Sequence, residues 1–335
     1  MKVNIIGAGV VGLTLAAELI DRGVDVHIYE RGRKIGEQAC SWFAGGMLAP
    51  WCERESAEMA VLHYGKEASS WWQKQLAGTN IDVIKKGTLV FAQARDRQEL
   101  SRFSRRTENF KWLNKEEIAS LEPDLAEHFK HALYFPDEAH LNPRLALVAL
   151  AETLQKKGVV FEFNQTIEPA DLDSEVVVDC RGLQAKPDWP DIRGVKGEML
   201  IIHSKEITLN RPIRLLHPRI PLYIVPREDH HFMVGATMIE NSQRDRFSVR
   251  SMLELLGSAY ALHPSFAEAQ IIEMGVDARP AFADNLPRLQ REGNVWRVNG
   301  LYRHGFLLSP SMAIKAARAI LEEHYKVEQM NEYTS

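Results

Sequence analysis

Cysteine is scarce in this 335-residue chain: Cys40, Cys52 and Cys180 are the only three, with no CxxC and no metal-ligand spacing. That excludes a disulfide scaffold and a cysteine metal site, and the odd count fits a reducing compartment. Positive charge is not in excess either. The formal net charge is −4, so there is no basic field to attract nucleic acid or an anionic membrane. No apolar run approaches the ~18 residues that span a bilayer. The first strand pattern begins at Val3, which leaves no room for a signal peptide ahead of it, and a cytoplasmic location is expected. Internal repeats, low-complexity tracts and Pro/Gly linkers are missing too. What remains is an ordinary globular composition, 45% hydrophobic and 26% charged, on a chain long enough for two domains or one large α/β unit. Without a linker, two domains would have to interleave.

The most informative stretch is Met1 to Glu30. Val3-Asn4-Ile5-Ile6 is a β-branched run that suits a buried strand. Gly7-Ala8-Gly9-Val10-Val11-Gly12 follows as a GxGxxG. Val10, Leu13, Ala17 and Ile20 then recur at helical spacing, and Gly23 stands where a helix would stop. Val24 to Tyr29 reads as a second strand, closed by Glu30. In such a unit Gly7 permits a tight turn, Gly9 admits a pyrophosphate and Gly12 lets helix pack on strand. The helix N-terminus offers N–H groups and positive potential to phosphate, and Glu30 stands where an acid would meet a ribose hydroxyl. The pattern implies a dinucleotide but does not separate NAD from FAD.

Gln38 to Pro50 is rich in small residues and unlike a helix or strand; it is either an ordinary glycine loop or a backbone laid against a ligand. Ser56 to Gln75 has helical character, with Trp71 and Trp72 as core. Ile81–Val83 and Gly87–Phe91 read as strands, Arg95 to Thr107 as a charged helix, and Asn114 with Glu117 as a capping box. Ala132–Phe135 is a strand, Asn142-Pro143 starts a helix to about Lys157, and Val159–Phe163 and Glu175–Asp179 return to a parallel sheet. Met199–Ile202, Leu222–Val225, Phe232–Val234 and Ile271–Met274 form a largely antiparallel region with a helix at Ser248–Tyr260. His230-His231 in its hairpin lacks a further metal ligand and reads as surface. The end returns to αβ: a strand at Val295–Asn299, a loop from Leu301 to Pro310, a helix from Ser311 to His324, and ten frayed polar residues. The fold class expected is α/β. A Rossmann-like domain (1–83, 139–196 and 294–335) interleaves with a largely antiparallel α+β substrate domain (84–138 and 197–293).

Four stretches then converge: Val3 to Glu30, Cys40 to Pro50, Leu222 to Met238 (LYIVPREDHHFMVGATM), and Asp277 to Pro310 with Ala278-Arg279-Pro280 and Tyr302-Arg303-His304-Gly305-Phe306-Leu307-Leu308-Ser309-Pro310. In these the chain resembles the FAD-dependent D-amino-acid oxidase and sarcosine oxidase family, and within it the glycine oxidases of the thiamine-biosynthesis type. The third and fourth stretches are the specific ones.

The resemblance implies a non-covalent FAD, because no cysteine or histidine stands where covalent-flavin relatives attach the ring. It implies that Gly7, Gly9, Val10, Val11, Gly12, Glu30 and Arg31 hold the adenosine diphosphate. Ile167 would contact the adenine side, and Cys40 and Ser41 the phosphate or ribitol end. Ala44-Gly45-Gly46-Met47 would run beside the flavin, and His304, Gly305, Phe306 and Leu307 would pass its pyrimidine edge. Arg279 matches the arginine that grips the substrate carboxylate, Tyr223 a tyrosine that helps, and Met238 a pocket-lining residue. Arg303 either touches substrate or holds the loop. The link from Ile167 to Glu175 is shorter than in relatives, and Trp42-Phe43 is bulkier than the small residues common there. The implied reaction is oxidation of glycine or another small amino acid by hydride transfer to flavin N5. Dioxygen as acceptor would give peroxide and an imine that becomes glyoxylate and ammonia or feeds thiazole synthesis. Expected partners are the amino acid and O2, with no nucleic acid or membrane, in a homo-oligomer of two or four chains. A quinone-linked D-amino-acid or sarcosine-type dehydrogenase, a non-catalytic FAD-binding protein and an NAD-linked reductase remain open. The last lacks a second GxGxxG.

Overall fold

The computed structural model describes residues 1–217 and 222–334, without the side chains of 327–334. The chain opens with β1 (Lys2–Ile6), α1 (Val10–Ile20) and β2 (Asp25–Glu30), as the periodicity predicts. The cause is local. Val3 and Ile5 on β1 and Leu13, Ala16 and Ala17 on α1 are fully buried, and β1 pairs with β2 in parallel. Gly12 is required by this packing, since a Cβ there would stand 1.9 Å from the Gly7 carbonyl oxygen.

The small-residue loop is not wholly irregular: it holds a 3-10 turn at Cys40–Phe43, then β3 (Met47–Leu48) and α2 (Pro50–Glu53). The helix expected over Ser56–Gln75 is two, α3 (Met59–Gly65) and α4 (Ala68–Gln75), because the chain turns where Gly65 is pressed against Leu307. Ile81–Val83 is not a strand. It has no neighbouring strand to pair with, and Ile84 alone makes a bridge, to His140. Next come β4 (Thr88–Ala92), α5 (Arg97–Arg106), β5 (Lys111–Leu113) and α6 (Lys115–Leu121) with its Asn114–Glu117 capping box. β6 (Ala132–Phe135) and β7 (Ala139–His140) precede α7 (Pro143–Lys156), which starts on the Asn142 side chain. β8 (Val160–Phe163) and β9 (Val177–Asp179) lead to β10 (Arg193–His203), β11 (Ile213–Leu216), β12 (Leu222–Pro226) and β13 (His231–Gly235). The chain closes with α8 (Val249–Leu262), β14 (Gln270–Ala281), β15 (Arg288–Glu292), β16 (Val295–Asn299) and α9 (Gly305–Thr334).

Two sheets result, beside the short β3–β7 pair. Six strands run in the order β15-β16-β9-β1-β2-β8, parallel except at the β15–β16 hairpin. Eight run β14-β10-β13-β12-β11-β4-β6-β5, antiparallel except between β11 and β4. The chain passes between the sheets several times, so their strands interleave in sequence. The boundary expected at 293/294 falls inside the β15–β16 hairpin, both strands of which lie in the six-stranded sheet.

The start of α9 departs most from expectation. A loop was expected to Pro310, yet the helix begins at Gly305 and carries Pro310 inside it. Proline has no N–H to give the carbonyl four residues back. Trp72 supplies one instead, its Nε1 donating to the Phe306 oxygen at 2.9 Å. The backbone stays helical to Thr334 where fraying was expected; the side chains there, and Ser335, lie outside the described residues.

Candidate active site

A cavity of about 580 Å³ draws its lining from both sheets, within the size range of small-molecule sites. The fold brings to it nearly every residue named from the sequence. Gly7, Gly9, Val10, Val11, Glu30, Arg31 and Ile167 line one part, and Cys40, Ser41, Ala44, Gly45, Gly46 and Met47 another. Arg279, Tyr223, Met238, Arg303, His304, Gly305, Phe306 and Leu307 line the rest. Gly12 alone among them does not, because its α-carbon is packed on the Gly7 carbonyl.

At the β1–α1 turn the N-terminus of α1 faces the cavity. Ser41 Oγ accepts from Val10 N at 3.3 Å, which leaves its own O–H to donate. Glu30 is buried and accepts from Ala8 N and Gly32 N, each at 2.8 Å, one on each oxygen. Each oxygen keeps a lone pair for a further donor. Burial and Asp277 push the thiol of half-buried Cys40 up to about 12, which keeps it protonated near neutrality. Of the bulky pair, Trp42 turns away against Gly36, while Phe43 lines the cavity and packs on Gly275.

Arg279 lies on β14, not after a strand as the sequence suggested. Its Nη1 donates to the Thr237 carbonyl at 3.1 Å. Among the described residues it forms no ion pair, so its charge is left for something in the cavity. Gly197 on β10 makes room for it: a Cβ there would stand 2.2 Å from Arg279 Nη2. Tyr223 stands beside Gly45 and Gly235. Burial raises its pKa against the pull of Arg279 and Arg214, so the phenol stays protonated and can donate. A free guanidinium beside a neutral hydroxyl suits a carboxylate.

Sequence reasoning named Arg303 and His304 but did not join them to the buried cluster that lines the cavity with them. Glu53 accepts from Arg214, from Arg303 Nη2 at 2.9 Å and from His304 Nε2 at 2.8 Å. Burial would raise the Glu53 pKa, but the Arg303 and Arg214 charges and the His304 bond hold it well below the usual 4.5. Burial lowers the His304 pKa in spite of Glu53, so the ring is neutral and donates through Nε2. Arg303 is thereby committed to protein, also donating to Ser56 Oγ at 2.7 Å. Met238 takes the Tyr302 hydroxyl at 3.3 Å. Arg214 could have been flagged as the lone charge in the run Ile213-Arg214-Leu215-Leu216; on β11 it pairs directly with Tyr223 of β12. Glu53 had no such mark.

Residues 2–319 match the family model described as DAO, FAD dependent oxidoreductase. The chain belongs to this family. It is therefore an FAD-dependent oxidoreductase, and the cavity's lining fits the group: backbone N–H donors at two helix starts, cations, and an accepting carboxylate at the end of β2. Among relatives of this DAO protein, the thiamine biosynthesis oxidoreductase ThiO of Rhizobium etli is 51% identical over 98% of this chain and 99% of its own length. The glycine oxidase of Bacillus licheniformis is 25% identical over 97% and 94%. The crystal structure of glycine oxidase from Geobacillus kaustophilus shares the fold with a TM-score of 0.81, covering 96% of this chain and 95% of that one at 24% identity. Among the described residues no helix is long and apolar enough to cross a membrane, and no group of three or more His, Cys, Asp or Glu could hold a metal ion.

Proposed function

We propose that this chain oxidises glycine, or an amino acid of similar size, to its imine, and that the product serves thiamine biosynthesis, the role in the name of the Rhizobium relative. The observation that carries this is Arg279, an arginine without an ion pair among the described residues, beside the protonated Tyr223 in a cavity of an FAD-dependent oxidoreductase. Arg279 receives the substrate carboxylate with two parallel N–H donors, and Tyr223 adds a third. Together they fix the position of the α-carbon. Bound FAD supplies a two-electron acceptor for the α C–H bond, and its reoxidation by O2 would release peroxide.

Gly7, Gly9, Val10, Val11 and Ser41 hold the diphosphate, with Glu30 on the adenosine ribose. Gly12 keeps α1 close enough to do so. Arg31 would stand at the phosphate end, Cys40 at the phosphate or ribitol end, Ile167 at the adenine end, and Ala44, Gly45, Gly46 and Met47 beside the ring. His304, Gly305, Phe306 and Leu307 present the N-terminus of α9, whose positive potential favours negative charge on a reduced ring. Arg303 holds that turn through Glu53 rather than gripping substrate, and Met238 limits the space beyond the α-carbon.

The test is turnover in air with glycine, sarcosine and D-alanine, assaying peroxide and the oxo acid. Equal yields of peroxide and glyoxylate from glycine are expected. Reduction of a quinone with no peroxide would turn the reading to a dehydrogenase. A single methyl separates these substrates and discriminates only about 10–200-fold, so all three should react.

A further inference from the structure

We propose that Arg244 is a cofactor-retaining residue, which supplies a cation to the diphosphate of the bound dinucleotide from the connection between β13 and α8. It lies in the connection between β13 and α8, a segment without regular structure that is pinned along β10. Thr237 N donates to the Glu198 carbonyl at 3.2 Å, and Ile239 N to the Lys196 carbonyl at 3.0 Å. Arg193 Nη1 donates to both Glu240 oxygens, at 2.9 and 2.6 Å. The connection is thus a fixed strap, and it lines the cavity with Ala236, Met238 and Arg244.

Arg244 joins the two halves of the site. Its fork takes both oxygens of Asp277 on β14, and its Nη2 also donates to the Gln38 carbonyl at 3.2 Å. Gln38 belongs to the loop after β2, and the same carbonyl accepts from Arg31 Nη2 at 3.1 Å. Two guanidinium groups therefore meet at one neutral oxygen. Asp277 is the one carboxylate paired with Arg244, and Arg31 has no ion pair among the described residues. Burial, and then the Arg244 charge, lower the Arg31 pKa against the pull of Glu30 and Asp277. Cys40 and Ser41 follow along the same loop, and Ser41 is bonded to the first turn of α1. An anion at that helix start would have Arg31 and Arg244 beside it. Asp277 offsets one of the two cations, and the diphosphate carries negative charge for the other.

The test compares Arg244→Met, Arg244→Gln and Arg244→Lys with the parent chain. FAD is removed, its rebinding followed by flavin fluorescence, and the melting temperature of the FAD-free proteins recorded. The proposal expects the two neutral variants to bind FAD ~10–100-fold more weakly, the loss of one charge-assisted contact. It expects Arg244→Lys to recover most of that loss, and added salt to weaken the parent more than the neutral variants. The neutral variants should also melt lower without FAD, because Asp277 is left buried without its partner, so rebinding is measured where every FAD-free protein is still folded. Unchanged FAD affinity in the neutral variants overturns the proposal. So does a lysine variant as weak as the neutral ones, or a fall in FAD-free stability that accounts for the whole effect. No amino acid substrate enters the measurement, so its failure is distinct from failure of glycine as substrate.

Discussion

Arg279 enters the cavity with its charge unspent, and the residues around it keep it so. Gly197 leaves the space its guanidinium fills, and Glu53 absorbs Arg214 and Arg303 but not Arg279. Replacing Arg279 by alanine should raise KM for glycine ~10²–10⁴-fold, the loss of a bidentate charged contact, while the flavin spectrum shows FAD still bound. Gly197→Ala is a subtler check. The added methyl displaces the guanidinium rather than the backbone, so the protein should fold, hold FAD and show KM raised roughly 10–100-fold by misplacement. Steady-state kinetics with glycine reads both. Glu53 has a pH signature. Its folded pKa is depressed, so its stabilisation is complete above the ordinary carboxyl value of 4.5 and is lost as pH falls through the folded value. Glu53→Gln should cost about 3 kcal/mol near neutrality, and the gap in melting temperature should close as pH drops below about 4. Arg279 was legible because it sits in a short specific motif. Glu53, Arg214 and the Arg303-His304 pair were not legible as a cluster, since they come from three distant segments and only folding joins them.

At the scale of elements, β1, α1 and β2 could be read directly because their cause is local: alternation, a glycine turn and one buried helix face. The start of α9 could not. Ser309-Pro310 carries a standard helix-start signal, and the helix nevertheless begins at Gly305 because Trp72 pairs the carbonyl that Pro310 cannot. That difference matters to the site, since it puts the N–H groups of Gly305, Phe306 and Leu307 at the cavity instead of those beyond Pro310. Trp72→Phe should destabilise the protein by about 1–3 kcal/mol by leaving a buried carbonyl unpaired. Pro310→Ala restores a backbone donor, so the double variant should regain part of that loss. Chemical denaturation of the two single variants and the double one measures the coupling.

Across the whole molecule, the six-stranded sheet places the β1–α1 turn and the eight-stranded sheet places Arg279 and Tyr223, with one cavity lined by both. Interleaving of the two units was legible from the alternation of patterns and the lack of a linker. The placement of β15 was not: Arg288–Glu292 is charged and edge-exposed, and only its pairing with β16 assigns it to the first sheet. On the proposed function, this cavity brings a small amino acid to FAD with its carboxylate on Arg279. The direct measurement is anaerobic titration of the FAD-loaded protein with glycine, following the visible absorbance of the flavin. Complete bleaching by glycine is expected in the parent chain, and in Arg279→Ala only at far higher glycine. Absence of bleaching by glycine, sarcosine and D-alanine alike in the parent chain would contradict it.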